Sequence, residues 1–348
     1  MATAQQDILN RYSKVTVVGA GVIGASWTAL FLAHGLSVVV NDPRPDVETI
    51  VRDYIRNNLP TLGELGLPTD NLEKRLSFEA DLERSVTGAD LVQENGPERI
   101  EFKQDLWARI GKVVGEHALM LSSSSAKTAT EQGLKMSRPG RLLVGHPFNP
   151  PHLIPLVEVV PGEKTSPEAV DDAVAFYAAL GKVPRVVRKE MPGFVANRLQ
   201  RAIFRECCYL VIQGVVKVDE LDDIVTSSIG LRWAADGPFR SFHLGGGAGG
   251  FKSFFKQFGP GLNEAWKNMA SVNLDEAAQD KIIAQAEASF AAQPPEQLES
   301  ERDAKQLAII RALKAVKAGK QQTSQSDHPG RNGARSTGGT RWDFCSKA

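Results

Sequence analysis

Hydrophobic and polar positions over residues 14–190 fall into two alternating kinds of stretch. Short apolar runs rich in β-branched residues read as buried strands: Val15-Thr16-Val17-Val18, Val38–Val40, Asp90–Gln93, Ala118–Leu121, Leu142–Val144, Leu156–Val160 and Val183–Val187. Between them lie stretches of helical spacing. One ends near His34 before Gly35; one covers about residues 45–75, broken near Gly63–Pro68; the others are Phe102–Val114 and Pro167–Leu180. Strands alternating with helices predict an α/β protein built on a parallel, doubly wound sheet. After Glu190-Met191-Pro192-Gly193 the pattern turns wholly helical, through Phe194–Val211, Val218–Ser228, Asn273–Ala291 and Pro295–Lys317. The predicted organisation is a domain over residues 1–190 opened by a polar lead-in, an all-α domain over 191–318, and a disordered tail over 319–348. The tail has too few apolar residues to build a core.

The turn after the first strand reads Gly19-Ala20-Gly21-Val22-Ile23-Gly24. Its three glycines permit a tight turn, close approach of a pyrophosphate and close helix–strand packing, and the helix beginning at Val22 and Ile23 points its N-terminus at the phosphates. Asp42 ends the second strand about twenty residues on, where a carboxylate binds the adenosine ribose hydroxyls and repels a 2′-phosphate. These features predict a Rossmann-type sheet that takes NAD in preference to NADP, with Arg44 softening the preference.

Ligands of such sheets sit beyond the carboxyl ends of the strands. Glu98 and Lys103 follow one strand end and are candidates for cofactor or substrate contact. Ser122-Ser123-Ser124-Ser125 follows the next, and its hydroxyls can donate to a substrate oxygen. The strand Leu142–Val144 delivers His146-Pro147-Phe148-Asn149-Pro150, and Glu158 lies twelve positions after His146 inside an apolar strand. A carboxylate there is costly without a partner, and His146 is the natural one. An imidazole oriented by a carboxylate is suited to remove a hydroxyl proton while a hydride leaves for a nicotinamide. Ser125, Asn149 and Asn197 are candidates to hold the reacting oxygen. The aromatic-rich stretch from Gly230 to Phe258 contains a run of glycines over 245–250 that follows no strand and reads as a flexible loop.

The 41 basic residues balance 41 acidic ones, so no charge excess asks for nucleic acid or an anionic membrane. The three cysteines show neither a paired framework nor metal spacing, which points to a reducing, cytoplasmic setting without a metal. No secretory signal or membrane-spanning run is expected. The terminal Ser346-Lys347-Ala348 lacks the leucine of a peroxisomal address.

Over residues 12–315 the chain resembles the 3-hydroxyacyl-CoA dehydrogenase superfamily. The motifs carrying the likeness are the Gly19/Gly21/Gly24 fingerprint with Asp42, Glu98 with Lys103, the serine loop, His146-Pro-Phe-Asn149-Pro, Leu-Val-Glu158-Val-Val, and Pro192-Gly193-Phe194 with Asn197-Arg198. The resemblance implies a His146–Glu158 catalytic dyad, contacts from Ser125, Asn149 and Asn197, and a homodimer formed by the C-terminal helices. Two departures turn it from acyl-CoA substrates. Residues 54–76 carry no lysine cluster, and Ser123 stands where acyl-CoA enzymes usually have asparagine. Gly230-Leu-Arg232-Trp233-Ala and Gly237-Pro238-Phe239 look like the small-substrate branch, which holds L-carnitine dehydrogenases and the L-gulonate 3-dehydrogenases related to lambda-crystallin. A quaternary ammonium favours aromatic faces, at roughly 0.5–2 kcal/mol each. Phe148, Trp233, Phe239 and Phe242 are candidates for such a cage, with Arg232 or Arg240 for a substrate carboxylate. The readings left open are oxidation of carnitine or an analogue, of L-gulonate or of a short 3-hydroxyacyl-CoA; reduction of an imine or specialised ketone; and a crystallin-like protein that binds NADH without chemistry.

Overall fold

The computed structural model describes residues 2–269 and 271–326. Eight strands form one sheet: β1 (Lys14–Val18), β2 (Ser37–Asn41), β3 (Leu76–Phe78), β4 (Leu91–Glu94), β5 (Leu119–Ser122), β6 (Leu142–Pro147), β7 (Leu156–Pro161) and β8 (Val183–Val186). Their order is β3-β2-β1-β4-β5-β6-β7-β8, and all neighbours are parallel except β6 and β7. The order reverses direction between β1 and β4, which opens the crevice where such sheets bind ligands. Most of these strands read as continuous apolar runs because both faces of the sheet are covered.

The helices of this part are α1 (Ala2–Arg11), α2 (Val22–Ala33), α3 (Val47–Glu64), α4 (Leu82–Val86), α5 (Ile100–Val113), α6 (Ala129–Gln132) and α7 (Pro167–Ala179). One core cluster joins β1 and β2 to α1, α2, α3 and α7. Trp27 stacks on Phe31 at 5.4 Å between ring centres and leans on Tyr177 at 5.5 Å. A second cluster joins β4 and β5 to α4 and α5 around Trp107. The polar lead-in expected at the start is helical from Ala2 to Arg11. Its end is fixed by Asp172 of α7, which accepts from the Tyr12 hydroxyl at 2.6 Å and from Arg11 at 2.9 Å. The short strand β3 carries too brief a pattern to stand out in the sequence.

Beyond Pro192 the chain is helical: α8 (Ala196–Ile212), α9 (Val218–Ser227), α10 (Ile229–Gly245), α11 (Gly250–Lys267), α12 (Glu276–Phe290) and α13 (Pro295–Ser326). The expected glycine loop is a short 3-10 turn over Gly247–Gly249. α10 kinks at Gly237, whose φ of +70° is followed by Pro238. The chain to Gln306 forms one compact unit; a second begins at Leu307, where α13 continues to Ser326. The expected disordered tail starts at 319, so its first residues are instead helical; residues 327–348 lie outside those described. Among the described residues, no helix is long and apolar enough to cross a membrane.

Candidate active site

The glycine turn is built as its spacing demands. Gly19 holds a φ of +84°, and a Cβ there would lie 2.9 Å from the Asn95 backbone. A Cβ on Gly24 would stand 1.9 Å from the Gly19 carbonyl oxygen, so α2 and β1 approach too closely for any side chain. Gly21, by contrast, faces open space at the uncapped N-terminus of α2. The exposed first turn, including Val22 and Ile23, is free to meet an anion. Asp42 accepts from the Ala20 N–H at 2.8 Å and from the Arg44 side chain at 2.9 and 3.1 Å. Burial pushes its carboxyl up, but Arg44 and the backbone donors outweigh this and hold it below the usual range. The turn and the ionised Asp42 fit the pyrophosphate and adenosine ribose of NAD.

A cleft of about 470 Å³, in the range of small-molecule sites, opens beyond the strand ends. It is lined by Ile23, Asn95, Gly96, Glu98, Ser123–Ser125, His146–Asn149, Asn197 and Gln200. Antiparallel pairing of β6 and β7 sets His146 opposite Glu158 in register, which is why residues twelve apart in sequence meet side by side. His146 Nδ1 lies 2.8 Å from Glu158 Oε2, and both side chains are buried. An ionised carboxylate only accepts, so Nδ1 carries the hydrogen and the neutral ring keeps its lone pair on Nε2. The other oxygen of Glu158, Oε1, accepts from the Val195 and Ala196 N–H groups at 3.0 and 2.9 Å. Burial would raise the Glu158 carboxyl, but the His146 bond and the two backbone donors outweigh it and leave it below the ordinary value. Phe148 and Phe194 flank the imidazole at 5.1 and 5.6 Å between ring centres.

Glu98 organises the serine loop. It accepts from Ser124 Oγ at 2.8 Å and the Ser125 N–H at 2.7 Å, with Ser125 Oγ at 3.4 Å. Ser123 stands differently. Its oxygen accepts from Gln93 Nε2 at 2.9 Å and Trp27 Nε1 at 3.2 Å, and it donates to Asn95 Oδ1 at 2.7 Å. A hydroxyl offers one donor and two acceptor sites, so Ser123 is fully used inside the protein and its hydroxyl is not free for the cofactor contact expected of it. Lys103, also expected at the cofactor, is 1% exposed and binds Glu94 at 2.7 Å; Glu94 further accepts from the Gly96 N–H and from Ser122. Charge balance in the core dictates that position, and Lys103 supports the Gly96 loop from beneath.

None of Arg232, Trp233, Phe239 and Phe242 lines the cleft. Phe242 lies 4.9 Å from Phe254 and Phe239 lies 6.0 Å from Phe251, so these rings pack α10 on α11. Arg240 pairs with Asp236 at 3.0 Å. Of the expected cation cage only Phe148 stands at the site. Asn95, Gly96 and Gln200, which also line the cleft, and Phe194, which flanks the imidazole, were not singled out from sequence for such roles. Gln200 had a signal: it lies three residues after Asn197 on one helix, and so on the same face. Cys207 and Cys208 have thiols pushed up by burial, which suits packing and not reactivity.

Two family models match the chain. One describes the 3-hydroxyacyl-CoA dehydrogenase NAD binding domain, over residues 14–191; the other the 3-hydroxyacyl-CoA dehydrogenase C-terminal domain, over 193–284. The chain belongs to the 3-hydroxyacyl-CoA dehydrogenase family. As a member it is an NAD-dependent oxidoreductase acting on CH–OH groups. It is 42% identical to an L-carnitine dehydrogenase of Streptomyces griseus over 299 residues, 86% of this chain and 89% of that one. It is also 42% identical to an L-carnitine dehydrogenase of Pseudomonas aeruginosa over 301 residues, 86% of this chain and 94% of that one. Among solved structures it resembles the 5-formyl-3-hydroxy-2-methylpyridine 4-carboxylic acid 5-dehydrogenase, described as an NAD+ dependent dismutase. That likeness has a TM-score of 0.73 at 31% identity and covers 87% of this chain and 98% of the other.

Proposed function

We propose that the protein oxidises the 3-hydroxyl of a small hydroxy acid, carnitine or a close analogue, to the 3-keto acid. The observation that carries the reading is the buried His146–Glu158 pair in the wall of the cleft beyond the glycine turn. NAD, when bound, supplies hydride acceptance. His146 Nε2 takes the hydroxyl proton, while Glu158 holds Nδ1–H and balances the imidazolium charge. Ser125 and Asn149 hold the reacting oxygen, and Asn197 reaches it from the first turn of α8. Gly19, Gly21 and Gly24 with Val22 and Ile23 cradle the pyrophosphate, Asp42 takes the ribose hydroxyls, and Glu98 presents the serine loop toward the nicotinamide.

Carnitine is favoured over the other hydroxy acids by the names and 42% identity of the relatives. Division into an NAD-binding part over 1–190 and a helical part over 191–318 is supported by the junction of the two family models at 191 and 193. A homodimer through the helical part belongs to the same proposal. Phe204, Leu231, Phe239 and Trp266 are each more than half exposed there, and large apolar side chains left in water suit a contact with a second copy. The free thiols of Cys207 and Cys208 support a cytoplasmic setting.

The test is NADH formation at alkaline pH with L-carnitine, D-carnitine, L-gulonate, 3-hydroxybutyrate and 3-hydroxybutyryl-CoA in parallel. Turnover of L-carnitine alone is the expected result. Turnover of only the CoA ester, or of none while NADH still binds, overturns the reading.

A further inference from the structure

The cleft is short of positive charge for an enzyme of hydroxy acids. Among the described residues no lysine or arginine lines it, and its ionisable groups are Glu98 and His146. The arginines suggested for a substrate carboxylate lie elsewhere, Arg240 paired with Asp236 and Arg232 away from the cleft wall. A carboxylate must therefore be met by neutral donors. The Ser124 hydroxyl is committed to Glu98, and Asn95 donates to backbone carbonyls and accepts from Ser123. Three carboxamides remain in the cleft wall: Asn149 and Asn197, already assigned to the reacting oxygen, and Gln200. Among the described residues the exposed Gln200 carboxamide has no hydrogen-bond partner.

The position of Gln200 is set by the dyad itself. Glu158 Oε2 holds His146 while Oε1 holds the N–H groups of Val195 and Ala196, so the start of α8 is tied to the catalytic pair. Asn197 and Gln200, three residues apart, look out from one face of that helix. A rise of 1.5 Å per residue puts Gln200 roughly 4.5 Å beyond Asn197 along the axis of α8. A hydroxy acid whose hydroxyl meets His146 and Asn197 directs its acid end along that helix face.

We propose that the Gln200 carboxamide is the specificity-determining group for the substrate's carboxylate, so that this enzyme reads an acid through a neutral amide donor and not through a cationic side chain. The inference rests on the small hydroxy acid reading above and names the part of that site that recognises the acid.

The experiment compares wild type with Gln200→Leu and Gln200→Glu, each checked for an unchanged melting temperature and NADH affinity. Turnover is measured with L-carnitine and its methyl ester. Binding of acetoacetate and of its neutral methyl ester to the enzyme–NADH complex is read by NADH fluorescence. Removing one bond to a charged acceptor should raise the KM for L-carnitine about 10- to 100-fold in Gln200→Leu, and further in Gln200→Glu, where like charges meet. The methyl esters should feel little of either change. Equal losses for acid and ester, or an NADH affinity that falls as much as KM rises, overturns the proposal. If wild type turns over no carnitine yet binds acetoacetate, and Gln200→Glu abolishes that binding, Gln200 keeps its role and only the substrate reading falls. If wild type binds neither small acid, both fall.

Discussion

Replacing Glu158 by glutamine tests the dyad through the number of acceptors it removes. Glu158 accepts three hydrogen bonds, one from His146 Nδ1 on Oε2 and two from Val195 and Ala196 on Oε1. Glutamine has nearly the same shape but one acceptor oxygen and one NH2 donor. If its oxygen faces α8, the NH2 faces Nδ1 and forces that nitrogen to accept. The ring proton then moves to Nε2, the atom proposed to take the substrate proton. If its oxygen faces His146, the two part-buried N–H groups of Val195 and Ala196 meet a donor in place of their acceptor. The first arrangement satisfies more groups, so Glu158→Gln should trap the inactive tautomer. Loss of the orienting carboxylate in a Ser-His-Asp triad costs about 10⁴ in kcat, and a fall of about 10³–10⁴ is expected here. NADH affinity should stay within about twofold, since a twofold change is only about 0.4 kcal/mol. The assay is steady-state NADH formation with the best hydroxy acid, alongside fluorescence titration of NADH and a thermal melt. A kcat within tenfold of wild type, with the melt unchanged, would refute the tautomer argument.

Three further outcomes follow from the buried charges. Lys103→Met should destabilise the fold by about 3–5 kcal/mol, because Glu94 is left buried without its cation; adding Glu94→Gln should restore part of this, and a single variant as stable as wild type in urea refutes the pairing. Asp42→Ala should lower the ratio of kcat/KM for NAD over NADP by at least about tenfold, or 1.4 kcal/mol of discrimination, and an unchanged ratio removes its assigned role. Burial, reinforced by the Lys182 charge, pushes His34 and His152 down to about 4 from 6.5. Depressed histidines leave the folded state with fewer protons than the unfolded chain between those values, so stability should fall as pH drops below 6.5, by about 1.4 kcal/mol per unit for each group. Urea unfolding that is flat between pH 7 and 5 would refute it.

What the sequence reveals of this fold depends on how local the governing physics is. The β-branched runs and the glycine turn act within a few residues, so the strands that carry the site and the dinucleotide turn could be read directly. His146 and Glu158 could be paired because a carboxylate amid apolar neighbours demands a partner. The helical half resists such reading. Trp233, Phe239 and Phe242 are equally good as a cage for a cation or as packing between two helices, and the pattern cannot separate the two; in the structure Phe242 meets Phe254 and Phe239 meets Phe251, away from the cleft. Lys103 and Ser123 lie near the right strand ends, but whether a polar group there faces ligand or core depends on Glu94, Gln93 and Asn95, partners on neighbouring strands and loops. Helix α1 shows little in the sequence because it offers only Ile8 and Leu9 to the core, and its end is held by a distant acid, Asp172.

The chain joins its two patterns at one carboxylate. Pro192-Gly193-Phe194 turns the backbone through two consecutive left-handed residues, with φ of +76° at Gly193 and +48° at Phe194. For phenylalanine that conformation costs about 1–2 kcal/mol, and its ring is held fully buried against His146. The turn brings the next two N–H groups onto Glu158. Extended or helical backbone at Phe194 would aim them elsewhere and leave an oxygen of the buried carboxylate unsatisfied. Strain at one residue thus places α8, and with it Asn197 and Gln200, at a fixed distance from the base. The same bond network orients the imidazole and sets one wall of the cleft, so a change in the turn should alter kcat and KM together, whereas a change confined to Gln200 should alter KM alone.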